Sequence, residues 1–186
     1  MAFSIATFTS TLHKGGALAS LFEATVKGTQ GAVGGTDKFK FQCKATTLPG
    51  DTIDVATVTY MGRGINIPSN RAAVQWTTTV YNDEGMEIRN HVENWMEQLN
   101  SHRTNVRASD KSKINSYTGT LKVATFAKEG GDASPKTYEF LNAWPSAVGE
   151  ITVDWETNDI QTYDVTWEFS YWRAAQSNTG YGSNGG

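Results

Sequence analysis

The chain has 186 residues, with 16 lysines and arginines against 19 aspartates and glutamates, a net charge of −3 and a pI near 5.6. That length suits one domain burying roughly 70% of its unfolded surface, and the weak acidity excludes a protein that grips DNA by its phosphates. A single cysteine, Cys43, excludes an internal disulfide framework and fits a reducing compartment. No apolar run approaches the ~20 residues that cross a bilayer. The start, MAFSIATFTSTLHKGG, has its first lysine at position 14 and no unbroken apolar core. It therefore reads as something other than a signal peptide, and the expectation is a soluble product made in the cytoplasm.

Residues 1–20 show no clear period and read as an arm lying on a surface. Leu21–Val26 is expected as a first strand with Phe22, Ala24 and Val26 on one face, and Thr29–Asp37 as a glycine-rich turn. Lys38–Lys44 alternates: Phe39, Phe41 and Cys43 inward, Lys38, Lys40, Gln42 and Lys44 outward. Pro49–Gly50–Asp51 ends that run. Thr52–Arg71 is extended and glycine-interrupted, a long loop or protruding hairpin with Gly62 and Gly64 near its tip. Trp76–Val80 is rich in β-branched residues and reads as a strand.

One helix is expected, over about 84–100. Asn82 or Asp83 would cap it, Glu84 and Glu87 would favour its dipole, and Ile88, Val92, Trp95 and Leu99 line one face. Residues 101–116 are polar and read as loop, Tyr117–Phe126 as a strand, Lys128–Lys136 as a turn. Pro145 is expected to stop any central ladder after Tyr138–Leu141. The stretch Trp144–Trp172 carries four of the six tryptophans. Within it Tyr163, Val165, Trp167, Phe169 and Tyr171 alternate with polar residues, and Ile151, Val153 and Trp155 do the same. Separated by Glu156–Asp159, they read as an antiparallel hairpin forming the floor of the core. The residues after Trp172, RAAQSNTGYGSNGG, are expected to be a flexible tail. The predicted architecture is mainly β, an antiparallel barrel or sandwich with one flanking helix, divided as arm 1–20, domain 21–172 and tail 173–186. Phe41, Cys43, Trp76, Trp95, Trp144, Trp155, Trp167 and Phe169 are the expected core.

The residues suggest little chemistry. Glu150, Asp154, Glu156 and Asp159 would need a desolvated member for acid/base work; two share the wet face of the expected strand, so a solvated face is preferred. They also lack the spacing of a calcium loop. Cys43 with His91 as base is a nucleophile candidate, but its apolar company favours a packing role. His13, His91 and His102 lack ligand spacing, so neither metal nor cofactor is expected. Gly62-x-Gly64 opens no helix and is no phosphate cradle. Lys38, Lys40 and Lys44 lack the aromatic partners of a nucleic-acid face.

Three blocks carry a resemblance: FQCKATTLP at 41–49, the R-x4-WTTTVYNDE run from Arg71 to Glu84, and WPSAVGEITVDWETNDIQTYDVTWEFSYW at 144–172. Together they make residues 21–172 similar to the tail tube proteins of contractile-tailed bacteriophages, which are related to the tube proteins of type VI secretion and other injection machines. The resemblance implies a structural protein of the virion and no enzyme, with a β-barrel-like fold and a flanking helix. It implies rings of six copies stacked into a hollow tube inside a sheath, joined to baseplate and tape-measure proteins. The genome would pass through the bore without specific binding, and nothing would insert in a membrane. A glycine-rich tail and a long N-terminal arm stand out against that family pattern.

Rings built from one chain need two complementary surfaces. Met61, Ile65 and Ile67 are apolar among glycines, outside any core period. With Arg63 and Arg71 they form the expected self-assembly loop. A DNA conduit also works best with a neutral or acidic lining, so Lys38, Lys40 and Lys44 are expected to be paired or to face outward. The competing readings are the tube of a secretion or injection machine, and a ligand-binding β-sandwich that uses exposed tryptophans.

Overall fold

The computed structural model describes residues 5–11, 16–28, 31–32, 38–72, 74–128 and 136–175. In chain order they form α1 (Ile5–Thr11), β1 (Phe22–Gly28), β2 (Gly31–Ala32), α2 (Lys38–Gln42), β3 (Cys43–Thr46), β4 (Ile53–Tyr60), β5 (Arg63–Arg71) and β6 (Trp76–Tyr81). There follow α3 (Glu87–Leu99), a 3-10 turn at Ser109–Lys111, α4 (Ile114–Tyr117), β7 (Gly119–Thr125), β8 (Lys136–Val148), β9 (Thr162–Glu168) and β10 (Tyr171–Ala175). Eight strands form one antiparallel path, β2-β1-β7-β8-β9-β6-β3, with β10 beside β8; β4 and β5 pair only with each other. Among the described residues no pairing returns from β3 to close the path, so the mainly β architecture is an open, sandwich-like one and not a barrel.

The organising strand is β8. Its first half pairs with β7 on one side and β10 on the other; its second half pairs with β9. Asn142 sits between the halves with φ 54, a left-handed conformation that asparagine tolerates, and the β7 register slips by one residue there. Pro145 does not stop the strand. It lies beyond Ala143, where the β7 ladder has ended, and beside a second register shift, so its missing N–H interrupts no ladder on that side.

The expected hairpin over 144–172 is present with a different first arm. Residues 149–161 form a long loop, and β8 supplies the strand opposite β9 and β10. Trp155 is therefore not core: it is fully exposed, at 104%. Trp144 is also outward, because alternation on β8 turns Ala143 and Pro145 inward instead. On the other arm alternation holds from Tyr163 to Trp167. The strand breaks at Phe169–Ser170, which turns Trp172 toward the core and leaves Tyr171 exposed.

Lys38–Lys44 also differs from expectation. Residues 38–42 are helical, so Phe39 points inward, while Phe41, two residues on, lies on the far side and is 76% exposed. Cys43 is buried as expected. The rest of the arithmetic follows the periodicities: Ala24 and Val26 on β1, Trp76, Thr78 and Val80 on β6, and Leu121 and Val123 on β7 are all buried. Trp76 stacks on Phe140 at 4.7 Å, bringing β6 over the first half of β8, and Phe140 meets Phe169 at 4.9 Å. Thr78 is buried but accepts a 3.0 Å bond from the Trp167 indole N–H.

The main helix starts at Glu87, three residues later than expected, and Glu84 lies outside it. Met86 at φ 48 is its N-cap residue, but Asp83 still accepts a 3.2 Å bond from the Glu87 N–H. Ile88, Val92 and Trp95 are buried against the strands. Trp95 donates to the Tyr117 carbonyl at 2.8 Å and lies over Gly28 and Gly119, where a Cβ would approach its ring to 2.9 and 2.8 Å. The described residues also hold three shorter α-helices, so the single-helix expectation is an undercount. One of these, α1, falls within the expected arm, at a place without core-facing periodicity; Ile5 and Phe8 are exposed. Arg173–Ala175, expected in the tail, is strand; residues 176–186 lie outside the described residues, as do the expected turns over 29–30, 33–37 and 129–135.

Candidate assembly surface

The segment Thr52–Arg71 is a hairpin that leaves the main sheet. Met61 and Gly62 form its two-residue turn with φ of 49 and 80, the paired positive values of a type I′ turn, which suits the natural twist of a hairpin. Eight residues in β4 reach about 26 Å at strand rise. At the base, Ala72 N–H donates to Thr52 O at 2.9 Å, and Arg71 pairs with Asp51. Arg71 thus fixes the root of the hairpin, while Met61 and Arg63 lie at its tip.

Register makes the hairpin two-faced. Val58 sits opposite Ile65 and Ala56 opposite Ile67, with Tyr60 opposite Arg63 at the end of the same row. The other row carries Thr57, Thr59, Gly64 and Asn66 toward the tip, with Val55 and Ile53 exposed near the root beside a register shift, and Thr57 Oγ1 donates to Asn66 Oδ1 at 2.9 Å. Every residue of both strands is exposed, including Tyr60 at 67%, Met61 at 90%, Ile65 at 51% and Ile67 at 44%. A lone two-stranded hairpin is marginal in water, and its uncovered apolar row makes it the candidate contact surface of the described residues.

The lysines expected to be paired or outward largely are so. Lys38 bridges Asp83, at 2.9 Å, and Glu87; Lys40 meets Glu23 at 3.0 Å; Lys44 lies over the Tyr81 ring at 5.5 Å. Hydrogen bonds that Lys38 donates to Glu87 and Asp83 raise its pKa, and Lys38 in turn lowers that of Asp83.

Other candidate sites are packed or dispersed. The Cys43 thiol is pushed up to about 12 by burial, against a weaker opposing bond to Ala45 O, so it is no nucleophile near neutral pH. His91 is half-buried, and burial lowers its pKa. Glu150, Asp154, Glu156 and Asp159 all lie on the exposed 149–161 loop, where Asp154 accepts a bond from the Glu156 N–H at 3.1 Å. Among the described residues no three His, Cys, Asp or Glu side chains gather to hold a metal, and no helix is long and apolar enough to cross a membrane. The exposed loop bearing Trp155 is the surface feature that periodicity missed; alternation alone reads it as strand.

The chain is 33% identical over 135 residues, 72% of its length and 80% of theirs, to the tail tube proteins gp19 of Enterobacteria phages T4 and T6. Its fold is similar to that in the sheath-tube complex of an extracellular contractile injection system, PVC, in the extended state, with a TM-score of 0.63 and 11% identity over 94% of this chain and 99% of the other. The family model described as phage tail tube protein matches residues 7–175, a span that takes in most of the N-terminal stretch and β10. The chain belongs to the phage tail tube protein family: it is a structural subunit of a contractile phage's tail tube, a component of the virion and not an enzyme.

Proposed function

We propose that six copies of this chain close into a ring, that rings stack into a tube, and that the β4–β5 hairpin bridges each subunit to a neighbour. The observation that supports this most is the hairpin itself, an ordered amphipathic arm with its apolar row of Ala56, Val58, Tyr60, Ile65 and Ile67 uncovered. One chain that tiles a cylinder needs non-identical surfaces meeting head to tail, and a projecting arm is such a surface. Met61, Arg63, Ile65 and Ile67 make the contact in this reading, and Arg71 holds the arm's root through Asp51.

The tube would lie within a contractile sheath, grow from a baseplate, contain a tape-measure protein, and pass the genome without binding it. The pairing of Lys38 and Lys40 supports a bore with little free positive charge. A second reading, the tube of a protein-carrying injection machine, shares the fold; the 33% identity to phage proteins against 11% to the injection-system tube favours the first. Negative-stain electron microscopy of concentrated protein, alone and with baseplate, tests it. Rings or tubes with a central hole are expected. Protein that stays monomeric under both conditions overturns the reading.

A further inference from the structure

We propose that the 149–161 loop of one copy docks on the basic segment 101–116 of the next, a second head-to-tail contact separate from the hairpin. It rests on the self-assembly reading above and assigns that reading a further pair of surfaces.

The loop exposes Val153 at 75%, Trp155 at 104% and Ile160 at 71%. Among these residues lie four carboxylates, Glu150, Asp154, Glu156 and Asp159, with no lysine or arginine between 149 and 161. None of the four has an ion-pair partner among the described residues. A tryptophan wholly in water, ringed by charge of one sign, has the composition of an interface anchor with a charged rim.

The complement is on the same chain. Residues 101–116 carry Arg103, Arg107, Lys111 and Lys113 against one carboxylate, Asp110, which pairs with Lys111 at 3.3 Å. Arg103, Arg107 and Lys113 are exposed, and between them Val106 and Ile114 are exposed at 62% and 57%. Arg107 also lies over the Tyr117 ring at 4.5 Å, which leaves its charge at the surface, so apolar spots set in net positive charge complement apolar spots set in net negative charge.

The two are anchored at opposite ends of one helix. Arg89, in the first turn of α3, donates to the Gly149 carbonyl at 3.1 Å, and Asn82, just before that helix, bonds Gln161 through backbone and side chain at 2.9 and 2.8 Å. Both ends of the acidic loop are thus tied to the start of α3. The basic segment is tied to its other end, by Ala108 N–H to Gln98 O at 3.1 Å and by Glu97 accepting from His102 N–H at 3.0 Å. Thirteen helical residues separate them by about 20 Å, more than twice the ~8 Å screening length at physiological ionic strength. A charge polarity fixed along one helix favours head-to-tail pairing of copies and steers their encounter.

Charge exchange with a cysteine cross-link tests the contact. Asp154→Lys with Glu156→Lys, and separately Arg103→Glu with Lys113→Glu, should each raise the protein concentration needed for assembly about tenfold or more, and the combined variant should recover most of the loss. A Trp155→Cys, Lys113→Cys chain in a Cys43→Ser background should give oxidised ladders of dimers and higher oligomers. Circular dichroism checks that these loop variants fold. If every variant assembles like the parent and no ladder forms, the contact is overturned and the tube reading stands. If the parent forms no assembly either alone or with baseplate, the tube reading fails and this contact fails with it.

Discussion

Replacing Ile65 and Ile67 together by aspartate should leave a folded subunit that no longer builds tubes. The two side chains are 51% and 44% exposed in the free subunit. Burying an isoleucine fully is worth about 1.5–3 kcal/mol, so covering the remaining half of each gives about 1 kcal/mol, or about 2 for the pair. Aspartate removes that gain and adds the cost of desolvating a carboxylate without a partner, several kcal/mol in its own right. A loss of about 5 kcal/mol per contact corresponds to roughly 10³–10⁴ in affinity, beyond what raising the protein concentration can offset. The milder change of both residues to valine removes one methylene each and should shift the assembly concentration less than tenfold. Sedimentation velocity across a concentration series reads the assembly, and far-UV circular dichroism reads the fold. The hairpin lies outside the core, so the melting transition should barely move. Tubes from the aspartate variant at the parent's concentration would refute the reasoning, as would valine and aspartate variants behaving alike.

Gly119→Ala should be strongly destabilising, since its Cβ would stand 2.3 Å from the Lys27 carbonyl oxygen and 2.8 Å from the Trp95 ring; a cost of about 3 kcal/mol or more lowers the melting temperature by roughly 6–12 °C in calorimetry. Thr78→Val removes the acceptor of the buried Trp167 N–H and should cost about 1–3 kcal/mol in denaturant unfolding, whereas Thr78→Ser should be nearly neutral. On the sheet face, burial raises the Glu139 pKa, but bonds from Arg173 and Lys122 outweigh it and hold the carboxyl below its ordinary 4.5. Its contribution is therefore present above pH 4.5 and lost as pH falls through the lower, folded value; Glu139→Gln should flatten that part of the acid limb in a pH series of urea midpoints, and an unchanged limb would remove Glu139 from the account.

Much of the sheet is legible in the residues because its strands bury one face. On β1, β6, β7 and the first part of β9, period two puts the right side chains inside, and on α3 a period near 3.6 does the same for Ile88, Val92 and Trp95. The failures share a cause. In Lys38–Lys44 an alternating pattern of charge and aromatic fits a strand, but only Phe39 and Cys43 are buried, and one helical turn before Cys43 places Phe39 inward while keeping Lys38 beside Asp83 and Glu87. In Ile151–Trp155 the pattern is a strand's, yet β8 already occupies the edge that β9 offers, so no backbone partner remains. Such conflicts between local pattern and burial concentrate where a surface serves another molecule. The projecting arm is legible for another reason: its apolar residues sit among glycines, apart from the runs that build the core.

The shared strand β8 also bears on how a loaded particle holds together. When a contracting machine drives its shaft forward, each building block is pressed end-on. Sheets that merely rest on one another slip under such a thrust, but here β8 carries both the β7–β10 part and the β9 part of the sheet, and parting them means rupturing ladders along its length. The block is stiff by connectivity, and compliance is left to the parts that hang outside it.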